Sequence, residues 1–240
     1  MKVLAVDTSS IVATCAILDE DRLISEYILN NKRTHSQKIM PIIKEILESS
    51  ELKPEDIDVF AVSIGPGSFT GLRIGVATIK SLAHALGKKV IGIPTLDALA
   101  FNLPYSEGII VPMMDARRDR VFTGIYKWEN GSLCVIQKPD AVELDELMNI
   151  LKERDESIIV NGDGTLVYRQ KIIEALGDRV FFAPKSANMA RASSVAELAL
   201  SRAKEGKFEN FFDLVPDYLR KSQAQREYEE KIKCCGEKNE

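Results

Sequence analysis

MKVLAVDTSSIVATCAIL, residues 1–18, holds two apolar, β-prone runs, Met1 to Asp7 and Ile11 to Leu18, on either side of the turn formers Thr8, Ser9 and Ser10. That pattern predicts a β-hairpin whose turn begins at an aspartate. A third strand is expected from Leu23 to Leu29. The same opening recurs: Gly108 to Met114 and Val121 to Lys127 read as strands joined by a turn that starts at Asp115, with Leu133 to Gln137 following. Alternating elements come after each triplet. In the first half these are a helix over Ser36 to Leu47, a strand over Val59 to Ile64, a glycine turn, a helix over Phe69 to Leu86, a strand over Lys89 to Ile93 and a short helix over Thr95 to Leu103. In the second they are a helix over Leu144 to Leu151, a strand over Ser157 to Val160, a turn at Gly162-Asp163-Gly164 and a helix over Leu166 to Leu176, with a last helix over Ser193 to Glu205. The sequence therefore predicts a duplicated α/β lobe with mixed sheets: residues 1–104 as the first copy, 105–221 as a reduced second copy, and 222–240 as a polar tail.

Composition narrows the function. With 240 residues, 45% hydrophobic and 28% charged, the chain reads as an ordinary soluble globular protein. Its 32 basic and 36 acidic side chains give a net charge of −4, so any RNA it serves is expected to be held through a partner. Cys15 and Cys134 fall in apolar, strand-like runs, whereas Cys234 and Cys235 lie in the charged tail, and none has C-x-x-C spacing. No secretory leader is visible and no apolar run approaches the ~20 residues that span a bilayer. A cytoplasmic protein without membrane contact is expected.

The stretch VSIGPGSFTGLRIGVATIK, residues 62–80, suggests a phosphate loop until its spacing is tested. A Walker loop needs a second glycine where Thr70 or Leu72 stands, and a dinucleotide fingerprint needs its third where Thr70 stands. An esterase elbow fails as well, because Ser68 is flanked at two residues' distance by Pro66 and Thr70. What remains is a tight turn at Pro66-Gly67 and glycines that let something pack closely on a helix. That helix has a bulky face of Leu72, Val76, Ile79, Leu82 and Leu86, and a small, weakly polar face of Ile74, Thr78, Ser81 and Ala85, with Gly71 and Gly75 nearby. On the Ser36 to Leu47 helix, Ile39, Met40, Ile42, Ile43, Ile46 and Leu47 cover roughly 160° of the circumference, a wide stripe. The two helices read as a docking surface for a partner; the competing reading is that both stripes are internal core.

Taken together, DTSS (7–10), RTHS (33–36), IGPGSFTGLRIG (64–75), PTLDAL (94–99), MDARR (114–118), NGDG (161–164) and PDYLR (216–220) resemble the TsaB family, also called YeaZ, over nearly the whole chain. The resemblance implies a two-lobed actin-like (ASKHA, ribonuclease H-like) fold and a role in making threonylcarbamoyladenosine beside the anticodon of certain tRNAs. It further implies a non-catalytic subunit that pairs with the catalytic paralogue TsaD, alongside the ATPase TsaE, and self-associates as a homodimer when the partner is absent. The subunit interface then falls on the two helices, with Ser36, Ile39, Met40, Ile43, Leu47, Phe69, Gly71, Ile74, Gly75, Thr78, Ser81 and Ala85 as its candidates. The catalytic relatives hold a metal through an H-x-x-x-H pair one helical turn apart, and here Thr95 and Leu99 occupy those positions. No catalytic residue, metal or cofactor is expected. Asp7, Ser9 and Ser10 stand where actin-like ATPases place their first phosphate loop, which makes them nucleotide-binding candidates; Arg117 and Arg118 follow the corresponding turn of the second half. The alternatives are a glycoprotease-like peptidase and an autonomous actin-like ATPase or sugar kinase.

Overall fold

A computed structural model of the protein describes residues 1–30 and 38–219. Strands β1 (Val3–Asp7), β2 (Val12–Leu18) and β3 (Leu23–Asn30) form an antiparallel meander. Helix α1 (Ile39–Ser49), strand β4 (Val59–Gly65), helix α2 (Phe69–Leu86), strand β5 (Lys89–Pro94) and helix α3 (Thr95–Phe101) follow, with β4 parallel to β1 and β5 parallel to β4. The sheet order is β3-β2-β1-β4-β5.

The second copy comprises β6 (Ile109–Asp115), β7 (Arg120–Glu129), β8 (Ser132–Glu143), α4 (Leu144–Lys152), β9 (Ile158–Asn161), α5 (Gly164–Val167), α6 (Arg169–Leu176) and β10 (Val180–Phe182). Its order is β10-β9-β6-β7-β8. Read from the β8 edge, both sheets run third, second, first, fourth, fifth strand, with the same parallel and antiparallel pairings. This is the duplicated ribonuclease H-like lobe of the actin-like fold.

Every residue of β1 and β2 is buried, because helices cover both faces of the first sheet. On one face α1 and α2 enclose a core of Leu4, Ile17, Phe60, Ile79 and their neighbours. On the other lies α7 (Ala192–Lys204), whose Ala192, Ala196, Ala199 and Ala203 bring its axis close to the strands. Although they follow the second copy in the chain, α7 and Glu209 just after it return to the first sheet, whereas Leu219 packs with Met114 and Tyr126 of the second.

Other differences have local causes. The helix expected over Leu166 to Leu176 is two, interrupted at Tyr168, whose hydroxyl reaches Asp115 Oδ1 at 3.3 Å. Strand β8 continues to Glu143, beyond the expected Gln137, carrying Pro139 as only an edge strand tolerates. The three-residue β10 has too short a pattern to announce itself and exists through pairing with β9. Among the described residues no helix is long and apolar enough to cross a membrane.

The start of α7 is capped from a distance. Its own preceding residue supplies no cap; instead Glu26 of β3 accepts hydrogen bonds from Ser193 N at 3.0 Å and Ser193 Oγ at 2.7 Å and pairs with Arg191. Burial opposes the charge on Glu26, but the Arg191 and Ser193 hydrogen bonds outweigh it and hold the carboxyl below the ordinary glutamate range. Because the folded value is depressed, this stabilisation is present above the unfolded value and lost as pH falls through the folded one. Glu26→Ala is expected to cost about 2 kcal/mol at neutral pH and to lose much of that effect in acid, as calorimetry across pH will show.

Candidate partner-docking surface

The glycine turn between β4 and α2 is packed beneath the β1–β2 turn. Ser68 N donates to Ser9 O at 2.6 Å, and Thr8 Oγ1 donates to Gly71 O at 2.7 Å. A Cβ at Gly71 would run into the Thr8 carbonyl oxygen, and one at Gly75 into Thr8 Oγ1. The close neighbour that these glycines admit is therefore the chain's own hairpin turn. Gly71 and Gly75 are buried and face inward, which removes them from the surface where the sequence had placed them.

Two groups of the turn are already engaged. Ser68 caps α2 by accepting from Gly71 N at 3.3 Å, and Ser68 N is already taken by Ser9. Asp7 is fully buried: its Oδ1 accepts from Ser9 N at 2.8 Å and Ser9 Oγ at 2.7 Å, and its Oδ2 accepts from Ser63 Oγ. Ser10 Oγ accepts from Val12 N at 3.2 Å. Asp7 and Ser9 are thus taken up by buried turn contacts, while Ser10 is half-buried and lines the space between the lobes.

Helix α2 presents four sides. Leu72, Val76, Ile79 and Ala83 are buried on the sheet. Gly71 and Gly75 press on Thr8. Along a third side runs a strap, residues 209–219, that the sequence reading missed because it has neither helical nor strand periodicity. Tyr218 stacks on Phe69 with ring centroids 4.4 Å apart and accepts from Arg73 Nε at 3.0 Å. Lys80 Nζ donates to the carbonyls of Phe212 and Leu214 at 3.1 and 3.0 Å, while His84 packs on Phe211. Asp217 N donates to Ile64 O at 2.7 Å, tying the strap to the glycine turn.

The fourth side is the small face. Ile74 and Thr78 are half-buried, and Ser81 and Ala85 are exposed. Of the α1 candidates, Ile39, Ile43 and Leu47 lie in the first core at 1, 2 and 5% exposure, so the wide stripe is internal; Met40, 47% exposed, points outward. Ser36 lies outside the described residues. Phe69 is half-covered by Tyr218. Among the described residues, Ser81 and Ala85 of α2 and Met40 of α1 are exposed, with Ile74 and Thr78 half-buried beside Ser81 and Ala85.

Helix α3, where Thr95 and Leu99 stand, is locked between the lobes. Asn161 Nδ2 donates to Leu99 O at 2.7 Å, and Tyr126 Oη donates to Asp97 Oδ1 at 2.9 Å. Burial raises the Asp97 carboxyl, against the Tyr126 hydrogen bond and the more distant Arg202. Thr95 Oγ1 is buried without a hydrogen-bond partner and Leu99 is part of the core. A hydroxyl and an isobutyl group are poor substitutes for two imidazoles, so these positions do not fit a metal. Among the described residues no three His, Cys, Asp or Glu side chains converge. Arg117 and Arg118 are exposed on the β6–β7 turn with left-handed backbones.

Comparison with known proteins follows the same lines. Residues 22–228 match the family model described as tRNA N6-adenosine threonylcarbamoyltransferase, TsaD. The chain is 36% identical to the tRNA threonylcarbamoyladenosine biosynthesis protein TsaB of Bacillus subtilis, over 97% of this chain and 100% of the relative. With the Escherichia coli protein of the same description it shares 29% identity over 62% of this chain and 65% of the relative. The structure of YeaZ from Pseudomonas aeruginosa superposes with a TM-score of 0.75 at 24% identity, covering 90% of this chain and 99% of that one, which shows a common fold.

Proposed function

The chain belongs to the TsaB (YeaZ) family of tRNA threonylcarbamoyladenosine biosynthesis proteins, and on that premise we propose that it is a non-catalytic subunit that pairs with TsaD. The observation that carries this is α3: where the catalytic relatives present a metal-binding histidine pair, this chain has a buried Thr95 and a Leu99 packed in the contact between its own lobes. The helix is kept as a structural spacer. The small face of α2 supplies the other half of the reading, a helix surface that no other described element covers and whose short side chains admit a second helix at close range. A homodimer through the same face is the expected state when TsaD is absent. TsaE is the expected third component, tRNA is contacted through the complex, and the setting is the cytoplasm. The peptidase and autonomous ATPase readings draw no support from the glycine turn, where Asp7 is buried in turn contacts and Ser68 caps α2.

Reconstitution tests it. Purified TsaD, TsaE and tRNA are expected to form threonylcarbamoyladenosine efficiently only when this chain is added, while the chain alone turns over no ATP and cleaves no peptide. Full modification without the chain would overturn the proposal. So would ATP turnover by the isolated chain that disappears in Asp7→Ala.

A further inference from the structure

The two lobes face each other across a cavity of about 430 Å³ that lies away from the α2 surface. Its walls are mostly apolar: Ile11, Val12 and Leu99 come from the first lobe, and Met114, Leu166 and Phe182 from the second. Ile11 is 51% and Leu166 67% exposed, so the rim keeps aliphatic surface in contact with water. A concave, apolar recess of this size with a few polar groups is the general form of a small-molecule site.

The polar groups have a definite sign. Arg169 and Lys185 both line the recess, and among the described residues neither has a carboxylate within ion-pair distance. The Arg169 guanidinium lies 3.9 Å from the centroid of the Phe182 ring, held against the apolar wall. The one acidic group of the lining, Asp163, accepts from Asp115 N at 3.1 Å, and burial pushes its carboxyl up, toward the neutral form. Asn188 is engaged with Thr165 and with the Gly162 carbonyl. The recess therefore combines an apolar body with two cations that no carboxylate among the described residues pairs with.

We propose that the interlobe cleft binds a small molecule with an apolar ring or branched body, seated between Leu99, Met114 and Phe182, and one anionic head held by Arg169 and Lys185. The apolar walls suit such a body and would strand the hydrated oxygens of a phosphate chain.

Anilinonaphthalenesulfonate, a fused-ring body with a single sulfonate, and the neutral N-phenylnaphthylamine serve as probes of the full-length protein. One sulfonate site per chain is expected. Ile11→Asp, which sets a like charge on the rim, and the double variant Arg169→Ala/Lys185→Ala are each expected to weaken it by about tenfold or more. The neutral probe should bind less tightly and should not respond to loss of the two cations. All three positions are exposed or on the rim, so the variants keep the fold, and unchanged melting confirms it. Sulfonate binding that survives Ile11→Asp, or survives the cation-free variant, overturns the proposal, as does a neutral probe that binds equally well.

Discussion

Gly71→Val is expected to lower the melting temperature by roughly 6–12 °C. The first atom of any side chain there meets the Thr8 carbonyl oxygen, and that oxygen belongs to a turn fixed by Asp7, Ser9 and Ser68. The turn cannot retreat without breaking the Thr8–Gly71 hydrogen bond. Overpacking against backbone of this kind costs about 3 kcal/mol, and each kcal/mol corresponds to about 2–4 °C in a chain of this size. Ala77→Val on the exposed side of the same helix is the control for helix propensity, with a shift of about 2 °C or less. If calorimetry gives the two variants equal shifts, the helix and the hairpin turn are not in contact as described.

The second large effect is on assembly and should leave stability alone. Ser81→Arg places a long charged side chain on the small face of α2, where the wild-type residue is exposed and, among the described residues, its hydroxyl donates to Ala77 O of the same helix. Stability should stay within about 0.5 kcal/mol of wild type. If a partner helix approaches that face closely, the added bulk and charge must be accommodated in the interface, weakening association with TsaD by tenfold to a hundredfold. Ile43→Glu should behave oppositely, unfolding the first lobe, because Ile43 is 2% exposed in the core. Sedimentation with the catalytic partner separates the cases. Wild-type association by Ser81→Arg, with wild-type melting, would mean that the face contacts nothing of importance.

The two helices show what a periodic stripe reports and what it leaves open. Both present more apolar or small surface than a single sheet contact requires, and periodicity reports only how residues distribute around an axis. Whether the surplus is filled from inside or outside depends on what the rest of the chain brings there. For α1 the first core absorbs Ile39, Ile43 and Leu47 together with Tyr27 and Leu29 of β3. For α2 it absorbs one face, the strap takes another, and the hairpin turn takes the glycines.

Local pattern determined the strands of the two triplets, the extent of α2 from Phe69 to Leu86, the aspartate turns and the duplication, because alternation, capping residues and turn formers act over a few neighbours and repeat when the unit repeats. Local spacing also showed that the glycine stretch fits neither the Walker, the dinucleotide nor the esterase template. The tertiary structure alone decided that α7 returns to the first sheet, that the strap from Glu209 to Leu219 covers one side of α2, that Gly71 and Gly75 serve Thr8, and that Arg169 and Lys185 line the same cleft as Ile11. Each of these joins residues far apart in the chain, and such contacts depend on how whole elements pack, which no short window of sequence encodes.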